Sequence, residues 1–390
     1  MKVLILHQHF NTPQKGGALR SYYLARALAA AGIQTVVITG HARPDEEVKT
    51  IDGITVHSVP NPYENRFGFY KRGISFVRYI LQAVRAARHY RDVDVCYAIS
   101  TPLTIGLAAQ WIQRWYGIPY IFEVGDLWPD APIQLGAVKS PLFKRALYGL
   151  EMNIYRRAKA VVALSVPIAE AVQKRAPGKP IHIIPNMADT AFFQPEEKEP
   201  LLEAKFDVSG KLVISYIGAL GIANGLDQFL ECVRASEKAA LPVHFILCGE
   251  GAKLGHLRET AKRLMLKTLS FIDFQDRPGV HDVLNVTDAV FISYKPVPVL
   301  ETGSPNKYFD GLAAGKLVIV NFGGWIKSEI EQRKCGFYVD HQRPGSFVEN
   351  IMPYLENREI LKQAQKSARR LAEECYAREL LSKQFARIFI

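Results

Sequence analysis

The stretch Glu301-Thr302-Gly303-Ser304-Pro305-Asn306-Lys307-Tyr308-Phe309-Asp310-Gly311-Leu312-Ala313-Ala314-Gly315-Lys316 combines residue types that can hold an anion. Ser304 is an N-cap residue, Pro305 suits a first helical position, and Gly315 suits a C-terminal stop. At about 100° per residue, Phe309, Leu312 and Ala313 fall on one side of this helix and Asn306, Lys307 and Asp310 on the other. Lys307 is out of place there, because a helix N-terminus carries partial positive charge and disfavours a cation by roughly 0.3–1 kcal/mol. The placement makes sense if an anion is held between the lysine and the free backbone amides, and phosphate is the usual one. The plainer reading is a solvated lysine paired with Asp310 three residues on.

Other stretches carry compatible chemistry. Asn11–Gly17 contains adjacent Gly16 and Gly17, which let backbone amides approach a ligand at a helix start, although a tight turn would use them equally. It is not GxGxxG, so a plain dinucleotide fingerprint is absent. Tyr120–Asp130 puts Glu123 and Asp126 at a strand end, followed by Trp128; carboxylates so placed can bond sugar hydroxyls or act as bases. Asp126 is equally suited to cap the next turn. Tyr216–Leu226 is a strand, a loop with Gly218 and Asn224, and a helix start, and Gly249-Glu250-Gly251 ends the next strand. Lys295 and Lys307 together with a helix N-terminus could neutralise a departing diphosphate without a metal ion. No His or Asp cluster has metal-ligand spacing, and Asp92 and Asp94 read as solvated turn residues.

The elements that must position these residues form two series. The first alternates strands near 2–6, 34–39, 54–59, 93–99, 119–124, 160–165 and 181–184 with helices near 18–31, 70–91, 102–116 and 140–158 and another between the last two strands. The second has strands near 211–217, 243–248, 268–271, 288–293 and 317–321, with helices near 225–239 and 252–266 and the Lys307 helix. Short apolar strands between amphipathic helices predict parallel sheets covered on both faces. The expected fold is α/β, with two Rossmann-like domains facing a cleft, residues 1–190 and 191–371. The join is polar and proline-marked near 186–209, and C-terminal helices pack back across both domains, that of about 372–390 on the first. In such sheets ligands bind at the carboxyl ends of the strands, where the stretches above lie.

The 390 residues suit two domains, and 48% hydrophobic with 22% charged residues is ordinary for a soluble globular chain. The N-terminal strand does not resemble a signal peptide, and no apolar run approaches the ~20 residues of a spanning helix. Five scattered cysteines without CxxC spacing suggest a reducing compartment. The net charge of +11 is uneven: residues 1–195 hold 23 Lys and Arg against 13 Asp and Glu, and residues 196–390 hold 26 against 25. The focus is 62–91, where Arg66, Lys71, Arg72, Arg78, Arg85, Arg88 and Arg91 meet only Glu64, and where Tyr63, Phe67, Phe69 and Tyr70 are interleaved. Lys71, Arg78 and Arg85 recur beside Ile74, Val77, Leu81 and Val84, as on an interfacial helix facing anionic lipid. The alternative is a core-facing helix with a basic solvated side. No nucleic-acid motif accompanies the charge.

Taken together, these stretches resemble the family-4 retaining glycosyltransferases of the GT-B fold over essentially the whole chain, and most of all the bacterial branch that assembles O-antigen and capsule. The matching residues are Gly16-Gly17 with Arg20, Asp126-Leu127-Trp128-Pro129, Ile184-Pro185-Asn186 with Asp189 and Phe192, Gly218–Leu226, Gly249-Glu250-Gly251, and Ser304–Lys307 through Ala313–Lys316. The resemblance implies a nucleotide-sugar donor, a UDP-sugar before others, held mainly by the C-terminal domain. Gly17, Gly218, Asn224, Gly249, Glu301, Ser304, Asn306, Lys307 and Asp310 would contact it, with Lys307 on the diphosphate and Asp310 on the ribose. Gly16, Arg20, Glu123 and Trp128 would face the acceptor. Asp126, Lys307 and Lys295 would carry the catalysis, with configuration retained and with no metal or other cofactor.

The sequence departs from the family pattern in three places. Thr302 stands where many members carry the first of two glutamates, with Glu301 one position early. Asn224 replaces a common basic residue, and Gly125 replaces the usual histidine, with Asp126 beside it. The implied protein is cytoplasmic and peripheral on the inner face of the cell membrane, bound to its anionic surface through 62–91. It would act on a polyprenyl-diphosphate-linked or surface-glycan acceptor and would bind no nucleic acid. Rival readings are a nucleotide-sugar 2-epimerase of the same fold and a catalytically silent nucleotide-sugar-binding protein.

Overall fold

The computed structural model describes residues 1–14, 16–17, 19–63, 67, 69–100 and 102–390, with Phe69 and Tyr70 described by backbone alone. The chain divides into two compact units: 1–185 with 302–304 and 379–390, and 186–301 with 305–378.

Among the described residues, the first unit holds β1 (Lys2–Leu6), β2 (Gln34–His41), β3 (Glu47–Ile51), β4 (Ile54–Pro60), β5 (Val95–Ile99), β6 (Tyr120–Val124), β7 (Ala160–Ala163) and β8 (Ile181–Ile183). They lie in the order β3-β4-β2-β1-β5-β6-β7-β8, all parallel except β3 against β4. The helices are α1 (Arg20–Ala30), α2 (Phe69–Ala87), α3 (Ile105–Tyr116), the short α4 (Asp130–Gln134), α5 (Pro141–Arg157) and α6 (Val166–Arg175). Strands β5, β6 and β7 are buried at every position, which is why, Glu123 apart, they read as apolar runs. The edge strand β3 was not expected. Its exposed Val48, Lys49 and Thr50 lack the apolar signal of an inner strand, and charge on an edge discourages pairing with another chain.

The second unit holds β9 (Leu212–Ile217), β10 (Val243–Cys248), β11 (Leu269–Ile272), β12 (Ala289–Ile292), β13 (Leu317–Val320) and β14 (Gly336–Tyr338), parallel in the order β11-β10-β9-β12-β13-β14. Its helices are α7 (Pro200–Phe206), α8 (Asp227–Lys238), α9 (Leu254–Arg263), α10 (Arg277–Val286), α11 (Asn306–Ala313), α12 (Trp325–Gln332), α13 (Ser346–Glu356) and α14 (Arg358–Leu371). Phe229 of α8 lies edge-on against Phe245 of β10 and Phe291 of β12, at the centre of the core. Helices fall where the sequence indicates none: α12 and α13 follow β13, α7 lies inside the polar connection, and α10 is capped by Asp276, whose carboxylate accepts from the Gly279 amide at 3.0 Å. Pro278 and Gly279 in its first turn hide the helical period.

The last helix, α15 (Arg378–Ala386), brings Phe385 and the following Phe389 edge-on against Tyr97 of β5. No helix of the described residues is long and apolar enough to cross a membrane.

Candidate active site

Sheet order locates the site. In the second unit the strand order reverses between β9 and β12, so the loops after these strands splay apart at a switch point where α/β sheets bind ligands. In the first unit the reversal lies between β1 and β5, next to the loop with Gly16 and Gly17. Lys15 and Ala18 of that loop lie outside the described residues. Gly16 and Gly17 have φ of +69° and +80°, and Gly17 faces the Asn11 side chain.

Helix α11 presents the expected faces: Tyr308, Phe309, Leu312 and Ala313 are buried, Asn306 is exposed, and Lys307 and Asp310 are half-buried. Its stop at Gly315 is as the sequence indicates, with φ +62° and the Lys316 amide closing onto the Gly311 carbonyl at 3.0 Å. Its start is later than expected. The helix begins at Asn306, with Pro305 in extended conformation at the cap position, so Ser304, though buried, is not the cap.

Lys307 does not pair with Asp310. Its Nζ donates to Tyr216 Oη at 2.5 Å and lies 3.8 Å from the centre of that ring. Its end lies against Gly218, where an added Cβ would be 3.3 Å from Lys307 Cε. Among the described residues no carboxylate pairs with Lys307, and burial pushes its pKa down to about 7. Burial pushes the Asp310 carboxyl up to about 7; Arg277 opposes the shift and Asp189 adds to it. Arg277 is itself paired with Asp189, which also meets Arg378 at 2.7 Å. Beneath α11, Lys307, Asp310 and Gly311 share a small cavity of about 30 Å³ with Ser215, Val280 and Phe291.

The glycine-bearing loop gathers other predicted residues. The Gly218 amide bonds the Cys248 carbonyl at 2.9 Å, and a Cβ on Gly249 would stand 2.0 Å from the Gly218 carbonyl oxygen, so these two backbones touch. The Asn224 side chain turns back to accept from the Gly221 amide at 3.0 Å, while its carbonyl accepts from Ser293 Oγ at 2.6 Å. The Lys295 amide bonds the Ala223 carbonyl at 2.9 Å, and Gly225 packs directly on the Lys295 backbone. Two lysines that both follow β12 thus border one loop. The Glu301 carboxylate faces Gly323, in the turn after β13.

In the first unit, Arg20 and Glu123 are joined to each other. Arg20 Nε and Nη2 reach the two Glu123 oxygens at 3.0 and 2.9 Å, and Tyr97 Oη also donates to Glu123. The remaining Arg20 donors meet the carbonyls of Pro185 and Ile184. Both groups are thereby used inside the unit. Asp126 differs: its side chain is exposed at a densely surrounded strand end, and desolvation raises its pKa. The neighbouring Gly125 amide is held by Ser100 Oγ at 3.0 Å, and Trp128 is half-buried. The residues that sequence reasoning missed are Tyr216, Tyr97, Arg277 and Ser293, each bonded to a residue far away in the chain.

The model of the glycosyl transferase 4-like domain matches residues 15–187, and that of glycosyl transferases group 1 matches residues 198–371. The chain belongs to the GT-B glycosyltransferases. Among solved structures, sucrose-phosphate synthase from Thermosynechococcus elongatus superposes on this glycosyltransferase with a TM-score of 0.78 at 15% identity, over 100% of this chain and 98% of its own. HepE from Anabaena in complex with UDP-glucose gives 0.74 at 16%, over 100% and 99%. WaaG, a glycosyltransferase involved in lipopolysaccharide biosynthesis, gives 0.70 at 14%, over 100% and 99%. At such identities the likeness shows the two-domain α/β fold. No curated protein matches the chain.

Proposed function

We propose that this glycosyltransferase moves a sugar, with retention of configuration, from a UDP-sugar to a lipid-linked or glycan acceptor at an anionic membrane surface. One observation carries the donor side: Lys307 is a half-buried, desolvated lysine with no carboxylate partner among the described residues, held by Tyr216 against the Gly218 loop at the start of α11. A diphosphate supplies the missing negative charge, and the first amides of α11 add donors. The UDP and UDP-glucose complexes of HepE, on the same fold, favour uridine. In this reading Asp310 takes the ribose.

In the proposed transfer the bond from the anomeric carbon to the diphosphate breaks first. A diphosphate oxygen takes the proton of the acceptor hydroxyl, and that hydroxyl oxygen bonds the anomeric carbon on the same face. Lys307 and Lys295 neutralise the departing charge, with no resident metal required. Asp126 lies on the acceptor side and orients the reacting hydroxyl. Arg20 and Glu123 are positioning residues that set the end of β6.

The membrane side rests on α2. Its inward face is Ser75, Tyr79, Ile80, Ala83 and Val84, while Ile74, Val77 and Leu81 point outward beside Lys71, Arg78 and Arg85. Arg66 and Glu64 of that basic stretch lie outside the described residues.

Thermal-shift titration with UDP, GDP, ADP and their sugars tests the donor reading. A ligand of the native state at a hundredfold excess over Kd adds about 2.7 kcal/mol of apparent stability. A shift with uridine diphosphates is the expected result, and no shift with any diphosphate at millimolar concentration would end the donor assignment.

A further inference from the structure

The apolar and basic surface does not stop at α2. From β4 to β5, β5 to β6 and β6 to β7 the chain moves the same way along the sheet, so right-handed crossovers put α2, α3 and α5 on one face. Helix α2 packs on α3 and α3 on α5, which makes the three a continuous layer. At ordinary interaxial spacings α2 and α5 lie roughly 16–20 Å apart. Together the three helices carry nine Lys and Arg and one acid, Glu151. Glu151 is fully buried, bonded by Tyr155 and paired with Arg175, so the outer surface of these helices has no negative charge among its described residues.

Two further apolar clusters lie on this layer. On α3, Trp115 is 61% exposed and its ring stands 5.6 Å from Trp111 one turn earlier, beside exposed Arg114. On α5, Leu142 is 82% exposed with exposed Phe143 next to it, flanked by Lys139, Lys144 and Arg145. The Leu142–Phe143 turn is fixed: Ser140 Oγ accepts from the Phe143 amide and Pro141 opens the helix. Scattered exposed apolar residues need no explanation, but apolar clusters rimmed by one sign of charge on adjacent helices do.

We infer that the anionic lipid contact spans all three helices, with Trp115 on α3 and Leu142 and Phe143 on α5 entering the bilayer interface alongside Ile74, Val77 and Leu81. The inference extends the α2 reading given above. Charge complementarity selects the occupant: basic rims suit anionic headgroups, aliphatic tips suit acyl chains, and tryptophan favours the boundary between them. A nucleic acid would leave Leu142 and Ile74 without a role. Several weak insertions on one rigid layer reinforce each other, because the first to bind holds the others near the surface.

The test is co-sedimentation of the full chain with vesicles of phosphatidylcholine alone and of phosphatidylcholine mixed with equal phosphatidylglycerol. The wild-type chain should bind only the mixed vesicles. Leu142→Ser with Phe143→Ser should weaken that binding about tenfold or more, the scale of one or two lost apolar burials. Brominated lipid should quench wild-type tryptophan emission, and Trp115→Phe should remove most of that quenching. If Arg78, Arg85 and Arg88→Glu abolishes binding while the α5 variant binds fully and no quenching occurs, the inference is overturned and the α2 reading stands. If the α5 variant loses binding and the α2 variant keeps it, the three-helix contact is overturned together with the α2 reading. Lack of binding by the wild-type chain overturns both. A lipid-free dimer that dissociates in the α5 variant overturns the inference in favour of a second copy of this chain as the occupant.

Discussion

Arg20 and Lys307 are both cations in the first turn of a helix that follows a glycine-bearing loop, and they end in opposite electrostatic states. Burial works against the Arg20 charge, but Glu123 and Tyr97 overcome it and leave the pKa raised. Two carbonyls take its other donors. Lys307 is offered a phenol and an aromatic face and no carboxylate, and its pKa falls to about 7. A buried charge that the protein answers itself is framework; one that it leaves unanswered is prepared for a ligand. Glu123 and Asp126, three residues apart, differ likewise, the first buried and answered by Arg20 and Tyr97, the second exposed and unpaired among the described residues.

The largest way to break this comparison is Glu123→Ala. It strands Arg20 in a buried position, and removing one partner of such a pair costs about 3–5 kcal/mol. Urea unfolding should show that loss, and a near-neutral result would mean that Arg20 is not framework. Asp126→Asn should do the reverse: unfolding is little changed, while turnover drops about a hundredfold, the scale of a misoriented reacting group, with donor affinity retained. A fully active Asp126→Asn enzyme would remove the residue from the mechanism.

Lys307→Ala sharpens the other side of the contrast. Calorimetry should show UDP binding weakened by about 1.5–3 kcal/mol, the scale of a charge-assisted bond, with no loss of folding stability. Unchanged affinity would sink the phosphate assignment. The smallest effect is in pH. Above about pH 7 the free lysine is neutral, so binding a diphosphate must take up a proton, and affinity should fall by up to about 1.4 kcal/mol per pH unit. The unfolded chain holds more protons than the folded one between about 7 and the ordinary lysine value of 10.5, so this group's contribution to stability rises across that window. Proton uptake can be read from binding heats in buffers of different ionisation enthalpy, and none at pH 8 would contradict the depressed pKa.

The strands were legible because burial on both faces leaves an unbroken apolar run, and the end of α11 because Gly315 adopts φ +62°. The helix starts one residue later than the sequence indicates because Ser304 fits the cap pattern while Pro305 takes the cap position. Sequence could not separate Glu123 from Asp126: a carboxylate at a strand end looks the same whether or not an arginine 103 positions away answers it. Nor could it find Tyr216, 91 positions from Lys307, since the i+3 neighbour Asp310 offered a simpler partner. The amphipathic period of α2 was plain, but which apolar residues faced out depended on the strands beneath it.

The contact between Gly218 and Gly249 restricts how this enzyme can be redesigned. A side chain on Gly249 would occupy the place of the Gly218 carbonyl, and one on Gly218 would push aside the end of Lys307. A library seeking a different donor sugar would find dead variants at both positions. Its productive diversity lies at Ile222, whose side chain points into solvent from the same loop.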